Sequence, residues 1–241
     1  MVCRGEHIHH GYYPTTESKA NDTKEIAQVS LIKLLLETAQ LPLPPVTTPI
    51  KAALNILDVG CGIGGTSRYL AKELGATVTG ITISTKQVEM ARRLTKSAAA
   101  KDTSETSSGP SDEARPMSLG SHGGRVSFLE LDAEKMGEVF VKDSDKFDVV
   151  WISEALSHFP NKPLFFQNAK KVLKEGGKLV IADWFKGADV KEGDADIKAI
   201  EDGMLLPPLC TQAQYVGMAR RNDLQVVSGP KDISADVAQT W

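Results

Sequence analysis

The sequence predicts an α/β fold, a doubly wound and mostly parallel sheet with helices on both faces. Three observations carry that expectation. Short apolar or β-branched runs recur along the chain: 54–59, 77–83, 125–131, 147–152 and 178–182. Segments with apolar residues at helical spacing separate most of them. Just after the first run, Gly60, Gly62, Gly64 and Gly65 fall within six positions. A strand, a glycine turn and a helix form a nucleotide cradle, because glycine turns without a Cβ clash and lets a ligand lie on bare backbone.

Composition narrows the classes. With 241 residues, 41% of them apolar and 24% charged, the chain can bury a full core as one α/β domain. A net charge of −3 argues against a general nucleic-acid binder. No apolar run approaches the roughly 20 residues of a membrane span, and the N-terminus does not read as a signal peptide. Cys3, Cys61 and Cys210 are odd in number and far apart, which points to a reducing compartment, here the cytoplasm, without a disulfide framework or a zinc site.

Residues 1–50 read as an N-terminal lid segment and a helix. The opening stretch carries His7, His9 and His10, whose spacing is not that of a known metal-ligand set. A frayed terminus with chance histidines is one reading of it. Residues 23–39 follow as an amphipathic helix that packs on the core, capped by Asp22 or Thr23. Pro42, Pro44, Pro45 and Pro49 then make a stiff linker.

Residues 51–241 form the cofactor-binding domain. Its first helix runs from about Thr66 to Leu74. After the second strand, Ser84 caps a helix, with Gln87 at capping-box spacing. Residues 97–124 are rich in Ser, Thr, Gly and charge and read as a flexible surface insertion. The third strand ends at Asp132-Ala133, where Asp132 suits a helix cap as well as a ligand contact. The fourth, 147–152, is apolar after Asp148, as a strand covered on both faces requires. It runs into Ser153 and Glu154, with His158 four residues further on. Groups at the carboxyl end of a central strand face the ligand crevice of an open sheet. A helix from Pro163 to Leu173 ends at Gly176. Residues 184–222 form an acceptor-pocket region: Trp184, Phe185 and the proline-broken run 204–209 suit a pocket wall, and a short helix spans 212–221. Residues 224–227 read as a sixth strand.

The glycine turn fits two cofactors. Gly60, Gly62 and Gly65 match the dinucleotide pattern G-x-G-x-x-G. Against it, Asp58 would repel a pyrophosphate and attract a cation, and the end of the second strand lacks an acid to read a ribose 2′-hydroxyl. Asp58-Val59-Gly60-Cys61-Gly62, with Gly64 beyond, instead resembles motif I of class I methyltransferases that use S-adenosylmethionine. The opening Glu6-His7-Ile8-His9-His10-Gly11-Tyr12-Tyr13, and Trp151 with Glu154 and His158, resemble the tocopherol and sterol methyltransferase branch, of the UbiE-type small-molecule kind. Nothing in these motifs fixes the acceptor.

The resemblance implies a Rossmann-like methyltransferase domain with S-adenosylmethionine as cofactor and no metal. It implies cofactor contacts from Asp58, Gly60, Cys61 and Gly62, from Thr82, Ile83 and Gln87, and from Asp132, Ala133 and Ser153. Tyr12 would lid the cofactor, and His9 or His10 would face the acceptor. His158 is the first candidate base, followed by Glu154 and His10. The acceptor is expected to be a lipophilic or aromatic small molecule, and nucleic acid is not expected as a partner. A protein that binds the cofactor without methylating, such as a cyclase or a regulatory subunit, is the competing class. Class I methyltransferases usually end with a seventh, antiparallel strand. Gly229 and Pro230 argue against one in the tail. An open edge on the fifth strand would then imply either a homodimer, with Trp241 buried in it, or a fragment of a longer protein with reduced stability and activity.

Overall fold

The computed structural model describes residues 7–41, 53–102 and 116–240. The proline linker, Cys3, Glu6 and Trp241 lie outside them. Six strands form one sheet in the order β3-β4-β2-β1-β5-β6. They are β1 (Asn55–Val59), β2 (Thr77–Thr82), β3 (Met117–Leu119), β4 (Gly124–Glu130), β5 (Phe147–Ser153) and β6 (Leu173–Ala182). All neighbours run parallel except β3, which pairs antiparallel with β4.

Alternation along the central strands builds two cores. Ile56, Val78, Val149 and Trp151 face α2 (Lys24–Thr38), α3 (Gly65–Leu74) and α4 (Thr85–Asp102), meeting Leu36, Leu70 and Val88. Leu57, Val59, Val150 and Ile152 face α6 (Lys162–Val172) and α8 (Gln212–Arg221), meeting Phe165, Phe166 and Met218. Successive strand residues point to opposite faces, so runs apolar at nearly every position become sandwiched between helix layers.

The chain leaves β1 for β2 and β4 on one side, then crosses back to place β5 on the other side of β1. Such a reversal opens a crevice at the carboxyl ends of β1 and β5. The N-terminal segment reaches that crevice because α2 holds it. The Gln28 side-chain amide donates to the carbonyls of His9 (2.6 Å) and His7 (3.3 Å), and Tyr12 N–H donates to Ala27 (2.8 Å). Short helices α1 (Thr16–Asn21), α5 (Met136–Val139), α7 (Ala195–Met204) and α9 (Ser234–Val237) complete the chain.

Four sequence expectations need correction. Residues 97–102 continue α4, and Met117–Leu119 add an antiparallel strand inside the expected insertion, whose remaining residues 103–115 lie outside the described ones. The helix α6 ends at Val172, within a residue of the expected Leu173, but Gly176 is not its stop, because Leu173 already pairs with Phe147 as the start of β6. Gly176, with φ of 72°, sits where the register jumps between Leu173 and Lys178. Residues 224–227 are not a strand. A four-residue run needs a neighbour to pair with, and Leu224 instead packs beside the α6 core.

Among the described residues no strand follows β6, and β6 pairs only with β5. The tail runs back to the N-terminal segment instead. Tyr13 N–H donates to the Asp236 carbonyl at 2.8 Å, and Gly11 N–H donates to Thr240 Oγ1 at 3.0 Å. No helix among the described residues is long and apolar enough to cross a membrane.

Candidate active site

Asp58 sits near the end of β1 and is 3% exposed. Ser67, on the first turns of α3, donates its hydroxyl to Asp58 Oδ2 at 2.5 Å. Burial nevertheless raises the Asp58 carboxyl to about 7, although the Ser67 hydrogen bonds pull the other way. The chain then turns through Gly60, Gly62 and Gly64, with φ of 69°, 55° and 79°. The turn is tied down where Gly60 and Cys61 N–H groups donate to the Ile81 carbonyl at 2.9 and 3.0 Å. A Cβ on Gly60 would come within 2.4 Å of the Ala155 Cβ. One on Gly62 would come within 2.5 Å of Ile8 Cδ1, so the N-terminal segment lies directly over the glycine turn.

The other wall begins at the end of β5. Ser153 Oγ is buried with no hydrogen-bond partner. Glu154 adopts φ of 53°, a left-handed conformation that a side chain normally avoids. Two contacts hold it there. His10 N–H donates to Glu154 Oε1 at 3.0 Å, and His10 Nδ1 meets Oε2 at 2.6 Å. The His10 ring packs edge-on against Trp184 with centroids 5.4 Å apart. His158 follows on a short 3₁₀ turn, Leu156–His158, and its side chain is exposed.

These groups border one cavity of about 260 Å³. Asp58, Gly60, Cys61, Gly65 and Thr66 line one end, Ser153 lies between, and His10, Glu154, His158 and Trp184 line the other. His7, Ile8 and His9 roof it. Burial, with help from His9 and Arg68, pushes the His7 imidazolium down to about 3. Burial lowers His9 too, although the backbone of His10 and the charge of Glu154 oppose it. His9 Nδ1 donates to the His10 carbonyl at 2.9 Å, which leaves Nε2 a bare acceptor, and that atom is buried without a partner.

Of the residues expected from the sequence, the cavity brings together Asp58, Gly60, Cys61, Ser153, His10, Glu154 and His158. Thr82, Ile83, Gln87, Asp132 and Ala133 lie outside its lining, on the same carboxyl edge after β2 and β4. Thr82 Oγ1 bonds Gln87 Oε1 at 2.6 Å, while Ile83 is 75% exposed. Asp132 Oδ1 accepts from Glu134 N–H at 2.9 Å, as a cap does. Gly62 is covered by Ile8. Tyr12 turns away to the tail, with Lys231 Nζ 5.7 Å from its ring centroid, and so does not cover the cavity. The run 204–209 supplies no lining residue either: Leu206 and Leu209 are buried and Leu205 is fully in solvent. Phe185 packs on Tyr215 instead, centroids 4.8 Å apart. Among the described residues no three His, Cys, Asp or Glu side chains converge as a metal site. Sequence reasoning missed Ser67 and the roofing role of Ile8. The polar position on α3 next to an acid-ending strand was a readable signal for the first; the second depends on long-range packing.

Comparison with known proteins agrees with this geometry. A tocopherol O-methyltransferase of Arabidopsis thaliana is 32% identical over 98% of this chain and 62% of its own length. A probable tocopherol O-methyltransferase of Oryza sativa is 31% identical over 98% of this chain and 59% of its own. A 2-methyl-6-phytyl-1,4-hydroquinone methyltransferase of Synechocystis is 38% identical over 75% of this chain and 45% of its own. The chain thus spans about three fifths of the length of the first two. The fold matches a geranyl diphosphate C-methyltransferase of Streptomyces coelicolor, with TM-score 0.71 at 15% identity over 98% of this chain and 77% of that one. It also matches the [4+2]-cyclase SpnF, with TM-score 0.70 at 21% identity over 97% and 70%. The model of the methyltransferase domain family matches residues 57–181, just over half of the chain and the whole span from the Asp58 turn to the end of β6, so the chain belongs to that family.

Proposed function

We propose that this chain is an S-adenosylmethionine-dependent methyltransferase acting on a lipophilic or aromatic small molecule. The observation that carries the proposal is the shared cavity. A buried carboxylate and a glycine turn stand at one end, and three titratable side chains, His10, Glu154 and His158, stand with an indole at the other. The residues fit a cationic cofactor without phosphate. Among the described residues no lysine or arginine lines the cavity, the buried Asp58 carboxyl has no counter-charge, and Ser153 Oγ lacks a partner. Asp58, the Gly60–Gly62 backbone and Ser153 would hold the amino-acid half. Thr82, Gln87 and Asp132, further along the same edge, would hold the ribose and adenine.

When bound, the cofactor supplies an electrophilic methyl group. The protein's part is to align the acceptor, exclude water and take a proton. His7, Ile8 and His9 line the cavity from the N-terminal segment and would help to exclude water. His158, which lines the cavity, would accept the proton of an acceptor hydroxyl as general base. Glu154 would keep His10 and Trp184 in place or meet a positive charge on the acceptor. The relatives named for tocopherol and a phytyl hydroquinone support an aromatic alcohol with a lipid tail. The edge of β6, which pairs with no further strand among the described residues, supports a homodimer. The cysteine pattern supports a reducing compartment such as the cytoplasm, although two relatives are named as chloroplastic.

The test is transfer of label from methyl-labelled S-adenosylmethionine to 2-methyl-6-phytyl-1,4-hydroquinone and to γ-tocopherol. Labelled product from either supports the reading. Cofactor binding with no transfer to any phenolic, indolic or sterol acceptor favours the non-methylating class, to which the fold match with a cyclase lends support.

A further inference from the structure

A second polar cluster lies behind the cavity wall, and none of the roles above uses it. Lys162, the first residue of α6, is 4% exposed. Its Nζ donates to the carbonyls of Ser157 and Phe159, both at 3.1 Å. Those two residues stand on either side of His158. Asp183 follows β6 directly. It accepts from the Tyr215 hydroxyl at 2.8 Å, and the Ser157 side chain also bonds it. Burial pushes the Asp183 carboxyl up and the Lys162 ammonium down, while the proximity of the two charges opposes both shifts. Cys210 and Glu201 also face the ammonium.

The turn that carries His158 has little holding it from within. It is three residues long, closed by His158 N–H to Ala155 at 3.1 Å and Phe159 N–H to Leu156 at 3.0 Å. Short 3₁₀ turns have poor hydrogen-bond geometry. The His158 side chain is exposed, so its direction follows the backbone beneath it. Buried carbonyls require donors. One ammonium meets two of them at once, and the nearby Asp183 carboxyl favours its charge. Trp184, next after Asp183, lines the same cavity as His158.

We propose that Lys162 is a positioning residue for His158: it clamps the two carbonyls that bracket the imidazole and, through Ser157 and Asp183, locks that turn to the strand end bearing Trp184. The kinetic consequence rests on the reading of His158 as the base, but the positioning itself does not.

The experiment therefore has two arms on the full chain saturated with S-adenosylhomocysteine or supplied with methyl donor. In the first, imidazole resonances are recorded by NMR for the wild type, Lys162→Met and the milder Ser157→Ala, with His158 assigned by its loss in His158→Gln. The His158 resonance should shift in Lys162→Met and, by less and in the same direction, in Ser157→Ala, with His7, His9 and His10 unmoved. Should Lys162→Met fail to fold, Ser157→Ala carries this arm alone. A His158 resonance unmoved in the folded variants, or equal shifts at all five histidines, His122 included, overturns the proposal.

The second arm is a kinetic cycle with 2-methyl-6-phytyl-1,4-hydroquinone as acceptor. Lys162→Met should lower kcat about 100-fold, as a misplaced base does. In the His158→Gln background the same change should cost only about twofold. Full multiplication of the two losses contradicts the proposal while leaving the base intact. A wild-type kcat in His158→Gln alone sinks the base reading, and the NMR arm then decides positioning independently.

Discussion

The two ends of the cavity are built in different ways. The Asp58 end comes from one contiguous stretch, residues 58–67, in which a strand, a turn and a helix start fix every atom. Its hydrogen bonds are local: Ser67 to Asp58, and Gly60 and Cys61 to the adjacent strand β2. The His158 end is assembled from four distant pieces: residues 7–10, 153–158, Lys162 and 183–184. Its decisive contact, His10 with Glu154, joins residues 144 apart in sequence. The proposed cofactor end is thus pre-formed by local backbone geometry, and the proposed acceptor end depends on the N-terminal segment being docked.

The largest effect expected from that contrast is at Gly60. Valine there meets the rigid Ala155 Cβ at 2.4 Å and must adopt φ of 69°. Gly60→Val should cost about 3 kcal/mol of stability and abolish S-adenosylhomocysteine binding in calorimetry. Gly62→Ala should be milder, because the atom it meets is the far end of the Ile8 side chain. Equal losses in both would mean that the turn is not the rigid element described.

Next comes His158→Gln. It should lower kcat about 100-fold or more with cofactor affinity unchanged, since the residue serves only the acceptor end. A matching loss of affinity in calorimetry would show that the two ends are not separable.

Glu154→Gln removes the charge that meets His10, and both side chains are mostly buried. Affinity for the acceptor should fall about fivefold, or ~1 kcal/mol, with affinity for S-adenosylhomocysteine unchanged. Amide exchange at residues 7–12 should quicken while residues 56–67 keep their protection. Uniform quickening would contradict an independently docked roof.

The smallest effect is in pH dependence. Asp58 titrates near 7 in the free protein, far above its ordinary 3.8. The folded state therefore holds this proton more tightly than the unfolded one, and the group's contribution to stability falls as pH rises from about 4 to about 7. A cofactor ammonium prefers the carboxylate, so affinity should rise across the same upper range, to about pH 8. Asp58→Asn should flatten that rise. An affinity flat with pH in the wild type would remove Asp58 from the site.

The same contrast explains what the sequence made legible. Local features were readable: the glycine turn, the Ser84 cap that accepts from Gln87 N–H, the Thr23 cap, and four strands within a residue or two. Asp58 and Ser153 fell at strand ends facing the crevice, as their position after apolar runs implied. Features that depend on a partner were not readable. Met117–Leu119 is a strand only because β4 lies beside it, and residues 224–227 are none because no strand does. Nothing in the residues around Tyr12 shows that the tail, and not the cavity, receives its ring. Lys162 looks like a solvated helix start until folding buries it against the turn of His158.

The measurement that bears most directly on the account is calorimetric titration of the chain with S-adenosylhomocysteine and, separately, with NAD. The account predicts saturable one-to-one binding of S-adenosylhomocysteine, weakened below pH 7, and no heat with NAD. Binding of NAD in its place, or an affinity for S-adenosylhomocysteine that survives Gly60→Val, would contradict it.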